Sequence, residues 1–116
     1  RRFIRRRFAF RLRRLFARPR FVLPQVLGEA PGGLAVVVAH SLVTYQWTPA
    51  MRAALRDILA EASRVRPLFR LHHDVVDQQG DPKAMPLVLE SWRDGEATVE
   101  ALAEAHHHGA SLRWLA

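Results

Sequence analysis

The chain of 116 residues contains no cysteine. That excludes a disulfide framework and any cysteine-ligated zinc site. No apolar run approaches the ~20 residues needed to cross a bilayer, so a transmembrane helix is excluded as well. Lysine is almost missing, with Lys83 alone against 17 arginines. Glycine is sparse and badly placed for nucleotide chemistry. The six glycines, at 28, 32, 33, 80, 95 and 109, cannot be assembled into G-x-G-x-x-G. Gly32-Gly33 also precedes an apolar run instead of following it, which is the wrong side for cradling a phosphate. G-x-S-x-G is absent too, so the nucleophile elbow of an α/β hydrolase is not present.

Positive charge is abundant but confined. The net charge is +7, yet residues 1–20 hold ten arginines and no acid, and the other 96 residues carry a balance of −3. The sequence therefore reads as a mildly acidic domain behind a basic arm. On a helix, Ile4, Phe8, Leu12, Leu15 and Phe16 would form an imperfect apolar stripe, with Arg5, Arg6, Arg7, Arg11, Arg13 and Arg14 around it. Such an arm suits an anionic membrane surface, the phosphates of RNA or DNA, or a targeting presequence. An arginine-rich stretch of this kind can equally arise by out-of-frame reading of GC-rich DNA, and both readings stay open. Arginines interrupt any secretory-type apolar segment, so the expected location is the cytoplasm. Pro19 and Pro24 are expected to end any helix near residue 18, with residues 21–116 forming the domain proper and the arm dispensable for its fold.

The remaining chain punctuates itself into α/β elements. Residues 21–30 suggest a short helical turn around Val26 and Leu27, followed by the turn Pro31-Gly32-Gly33. The run LAVVVAHSLV, residues 34–43, predicts a strand covered on both faces. Thr48-Pro49 reads as N-cap and first helical residue. Met51, Ala54, Leu55, Ile58, Leu59, Ala62 and Val65 follow at helical spacing, predicting a helix of about 17 residues that ends before Arg66-Pro67. PLFRLHHDVV, from Pro67, predicts a second strand, and residues 77–82 a loop. MPLVLESW, Met85 to Trp92, predicts a third strand, and Asp94-Gly95 a hairpin turn. Residues 96–105 fit helix by composition and strand by alternation; the preceding turn favours strand. SLRWLA supplies a short last strand. Strand–helix–strand followed by a closing hairpin describes half of an open α/β sheet.

In such sheets ligands lie beyond the carboxyl ends of the strands. His40, Ser41 and Tyr45 fall at or after the end of the first strand and Asp74 near the end of the second. They are the candidate catalytic residues, with His40 as a general base oriented by a carboxylate. The alternative is a histidine hydrogen-bonded within a strand-to-helix turn. A Ser–His–acid hydrolase is disfavoured because Ser41 directly adjoins His40. His106, His107 and His108, with His72, His73 and Asp74, raise a metal site. Adjacent histidines point to opposite faces of a strand and no H-E-x-x-H spacing occurs, so a polar turn before Gly109 is expected and no metal. Trp47, Trp92 and Trp114 are too scattered for a base-stacking platform.

From about residue 26 onward the sequence resembles the C-terminal portion of a bacterial family called domain of unknown function 2332. The resemblance rests on GGLAVVVAHSLVTY at 32–45, the helix from Thr48, the strand ending in Asp74, LVLESWRDGE at 87–96 and HHHGASLRWL at 106–115. Members of that family are similar to class I Rossmann-like methyltransferases. The resemblance implies a partial Rossmann-like open sheet whose cofactor-binding half is missing from this chain. It also implies that the chain alone binds neither S-adenosylmethionine nor NAD and has no catalysis of its own. A small basic-arm module binding nucleic acid or an anionic membrane is the alternative. The apolar run Leu34–Val38 would lie at an open sheet edge, so the expected partners are the missing N-terminal half or a second copy, unless the arm folds back over the sheet.

Overall fold

The structure is a computed structural model that describes residues 19–41, 47–74, 85–106 and 110–115. The arm's Arg5, Arg6, Arg7, Arg11, Arg13 and Arg14, together with Tyr45, the turn at 77–82, His107 and His108, lie outside the described residues. The elements in chain order are α1 (Pro19–Glu29), β1 (Val37–Ser41), α2 (Pro49–Ser63), β2 (Leu68–His73), β3 (Met85–Arg93), β4 (Glu96–Ala105) and β5 (Leu112–Trp114). The strands form one open sheet in the order β1-β2-β3-β4-β5. β1 and β2 run parallel, joined through α2 as the long crossover that a parallel pair requires. The pairs from β2 to β5 are all antiparallel, so the fold is α/β with a mixed open sheet.

α2 begins where capping chemistry puts it. Thr48 sits in extended backbone and its hydroxyl accepts from the Met51 N–H, with Pro49 following at the start of the helix. Leu55 and Leu59 turn inward and are buried, while Arg52, Arg56 and Glu61 face solvent. The helix closes at Ser63, whose hydroxyl bonds back to the Ala60 carbonyl and accepts from the Gly95 N–H. That bond ties the end of α2 to the β3–β4 turn. The turn itself has positive φ at both Asp94 and Gly95, 49° and 85°, the backbone an Asp-Gly hairpin calls for. Residues 96–105 are strand throughout. A register shift between Leu87 and Val88 leaves Leu102 as the extra residue of a bulge, since Leu87 opposes Ala103 and Val88 opposes Ala101.

The first helix runs further than the short turn around Val26 and Leu27 that the sequence suggests. Residues 19–29 are one helix that passes through Pro24; a break near residue 18 concerns residues outside the described ones. Pro24 removes only the bond to the carbonyl four residues back, and burial of Leu23 and Leu27 in the core holds the helix across that gap. Residue 20, where the sequence divides arm from domain, lies inside α1, and residues 1–18 lie outside the described residues. Arg66 fastens the far end of α1 by donating to the Pro31 carbonyl at 2.9 Å and to the Ala30 carbonyl.

One side of the sheet is covered. Val38, Leu68 and Trp92 pack with Leu23, Leu27, Leu55 and Leu59 in a single core beneath both helices. The other side carries Val37 and Ala39 of β1, Phe69 and Leu71 of β2, and Leu87 and Leu89 of β3. Val37 and Ala39 are exposed and the other four only half-buried. Both described helices lie on the opposite side. Burial of β1 on both faces, expected from its continuous apolar run, is thus not met among the described residues. β1 is also the edge of the sheet, with no described strand on its outer side.

Candidate functional site

β1 and β2 are in register with His40 opposite His72 and Ser41 opposite His73. Because neighbouring parallel strands keep paired residues on one face, His40, Arg70 and His72 project to the helix-covered side, with Glu90 of β3 beside them. The Arg70–Glu90 and His72–Val88 pairings of the antiparallel register bring these side chains together. Asp74 lies just past the end of β2.

His40 sits at the centre of this group, with its side chain 4% exposed. Its Nδ1 lies 3.2 Å from Asp74 Oδ2, and its Nε2 lies 2.9 Å from Arg70 Nε. An arginine N–H can only donate, so His40 Nε2 is the acceptor and Nδ1 carries the proton to Asp74. The tautomer is fixed and the imidazole is neutral. Burial holds the His40 pKa below its ordinary value of 6.5; the bond to Asp74 opposes that shift and the Arg70 charge adds to it. The orienting carboxylate expected for a general base is therefore in place, but the nitrogen that would take a proton is occupied by Arg70.

Glu90 organises the other half of the group. Its side chain, 4% exposed, receives Arg70 Nη1 at 3.2 Å, the Trp92 indole N–H at 2.9 Å and Arg56 Nη1 at 3.6 Å. His72 Nε2 lies 3.3 Å away, off the hydrogen-bond direction. Burial alone would raise the Glu90 carboxyl, but His72, the Arg70 charge and the Trp92 N–H outweigh it and hold the group at about 2. His40 and His72 stack with centroids 5.5 Å apart and planes 14° from parallel. Arg56 also caps the Trp92 ring, its guanidinium carbon 5.2 Å from the centroid. The result is a sealed polar ladder, Asp74–His40–Arg70–Glu90–Trp92, beneath α2.

Among the sequence-predicted residues, His40 and Asp74 are brought together. Ser41, the next residue along β1, points to the opposite side and does not join them. Tyr45 lies outside the described residues. Ser41 meets His73 instead, Oγ to Nδ1 at 3.5 Å. Arg70, Glu90, Trp92 and Arg56 were not foreseen, although Arg70, His72 and Asp74 alternate along one strand at spacing two. Among the described residues no group of three or more His, Asp or Glu is arranged to hold a metal ion, and no helix is long and apolar enough to cross a membrane. Of the tryptophans, Trp92 is buried and Trp114 is 64% exposed.

Fold and site together define an α/β protein with a mixed open sheet and a buried His–Asp–Arg–Glu ladder at the carboxyl ends of its two parallel strands. The chain belongs to the family described as uncharacterized protein conserved in bacteria (DUF2332), whose pattern matches residues 14–114. The match begins at residue 14, well before the region near residue 26 where the resemblance was legible. It takes in the last part of the arginine-rich stretch. No curated protein and no solved structure matches the chain.

Proposed function

We propose that this chain is the C-terminal, sheet-completing part of a Rossmann-like, methyltransferase-like α/β domain, and that alone it performs no cofactor-dependent catalysis. The observation that carries this reading is the half-covered sheet. A doubly wound sheet has helices on both faces and strands on both sides of its parallel core. Among the described residues the only parallel pair is β1–β2, β1 is an outer edge, and the apolar side formed by Val37, Phe69, Leu71, Leu87 and Leu89 has no described helix over it. The missing cover and the glycine-rich cofactor loop belong to the same absent half. In this reading the buried ladder is structural: it locks the ends of β1 and β2, so that His40 and Asp74 position the rim without exchanging protons with a substrate.

The test has two arms. Calorimetry of the chain alone with S-adenosylmethionine and with NAD should give no binding. The same chain mixed with the preceding part of a longer family member should form a one-to-one complex that binds S-adenosylmethionine. A micromolar dissociation constant for the chain alone, competed by the demethylated product, would overturn the reading, as would failure of the two parts to associate.

The confinement of ten arginines to residues 1–20 favours a second reading, in which the arm binds phosphates of a nucleic acid or an anionic membrane. Its signature is affinity for a duplex oligonucleotide that falls steeply between low and moderate salt; affinity independent of salt would remove it.

A further inference from the structure

We infer that Ser41 and His73 form a nucleophile–base pair able to transfer acyl groups from small carboxylic esters. The two residues are register partners on the parallel strands β1 and β2, on the side of the sheet away from the buried ladder. Ser41 Oγ lies 3.5 Å from His73 Nδ1, and His73 Nε2 lies 3.2 Å from the Ala105 carbonyl oxygen at the end of β4. A carbonyl oxygen only accepts, so Nε2 carries the proton and Nδ1 presents its lone pair to the serine hydroxyl. The second contact fixes both tautomer and ring orientation, which is the orienting role a third group plays in nucleophile–base constellations. The separation is at the long end for such a hydrogen bond, as is common before a substrate is bound.

The surroundings select the substrate class. Ser41 is exposed and His73 half-buried, so the pair is reachable where the His40–Asp74 pair is sealed. It lies at the carboxyl ends of the parallel strands, where open α/β sheets receive ligands. Leu87, the register partner of His73 on β3, stands beside the pair at the rim of the sheet, which suits a small apolar acyl group.

The chemistry balances with water as the only co-reactant. Ser41 Oγ bonds to the ester carbonyl carbon as His73 Nδ1 takes its proton. The ester C–O bond then breaks, and the departing alkoxide receives that proton and leaves as the alcohol. Water adds to the acyl-serine, giving a proton to His73 Nδ1. The Ser41–acyl bond breaks, the carboxylic acid departs, and the proton returns to Ser41 Oγ.

The inference is tested on the intact chain with a fluorophosphonate probe and with p-nitrophenyl butyrate. Mass spectrometry should locate the probe on Ser41, and Ser41→Ala should abolish both labelling and ester cleavage. His73→Ala should slow labelling about 100-fold, with partial recovery on adding free imidazole, a recovery that a purely structural role for His73 would not produce. Circular dichroism of Ser41→Ala checks that the fold persists. Should His73→Ala fail to fold, His73→Gln, which keeps a polar contact to Ala105 but supplies no base, takes its place and should be equally slow. No adduct on Ser41, or an adduct whose rate is indifferent to His73, overturns the inference without touching the cofactor experiment.

Discussion

Glu90 is buried where β2, β3 and α2 meet, and ties them together. Two guanidinium groups and the Trp92 indole N–H converge on it, and removing its charge leaves Arg70 buried with no anion close by except through His40. Breaking a buried pair from one side costs about 3–5 kcal/mol, so Glu90→Gln should lower the urea midpoint by a large fraction of the total stability. The same ladder gives the protein a two-step acid response. His40 is kept neutral in the fold by burial, so below the ordinary value of 6.5 the unfolded chain takes up a proton that the folded chain refuses. Stability from this group is complete above about pH 6.5 and declines as the pH falls below it. Glu90, held at about 2 against an ordinary 4.5, contributes fully above pH 4.5 and loses its share as the pH drops toward 2. That second share is on the order of 2–3 kcal/mol. Urea titrations at stepped pH should show both declines, and Glu90→Gln should erase the lower one while leaving the upper. At this scale the sequence was half legible. The strand-end rule located His40 and Asp74, because it depends only on where strands stop. Arg70 and Glu90 sit inside runs of otherwise apolar strand, and only the register between β2 and β3 shows that they face each other.

Elements were the most legible level. Thr48-Pro49, Asp94-Gly95 and the helical spacing from Met51 to Val65 each encode a local geometry, and each is found where its chemistry puts it, except that the helix stops at Ser63 and leaves Val65 outside it and exposed. Thr48→Ala removes the side-chain acceptor of the Met51 N–H at the start of α2 and should cost about 1 kcal/mol, a shift of several degrees in the thermal midpoint that Thr48→Ser should largely restore. Gly95→Ala probes the hairpin. At φ 85° a Cβ is strained whatever the space, and it would also lie 2.7 Å from the Arg64 guanidinium, whose side chain is exposed and can swing away. The cost should therefore be about 1 kcal/mol, set by backbone alone. Where element reading failed, long-range packing had overruled a local rule. Pro24 signals a break by its missing N–H, but Leu23 and Leu27 on the buried side keep the helix whole. The strand at 96–105 was ambiguous for the converse reason: its alanines and glutamates favour helix until β3 offers a ladder.

At the scale of the whole molecule, the described helices cover one side of the sheet only. β1 reads as a strand meant for burial on both faces, and its composition is right for that environment; the cover on its second side is simply not provided by α1 or α2. No pattern within a single sequence says whether cover comes from the same chain, which is why the strand could be foreseen and its exposure could not. Val37 at 36% exposure and the half-buried Phe69, Leu71, Leu87 and Leu89 form a continuous apolar surface next to an open strand edge, a combination that drives association when left bare. The central claim, that this sheet is completed from outside the chain, is tested most directly by sedimentation velocity of the intact protein over a wide concentration range, alongside Leu71→Lys. The account predicts dimers or larger species that grow with concentration, shifted to monomer by Leu71→Lys with little loss of thermal stability, since that side chain packs on a partner and not within the fold. A monomer at every concentration, strongly destabilised by Leu71→Lys, would contradict it, because the face would then already be buried by the chain itself.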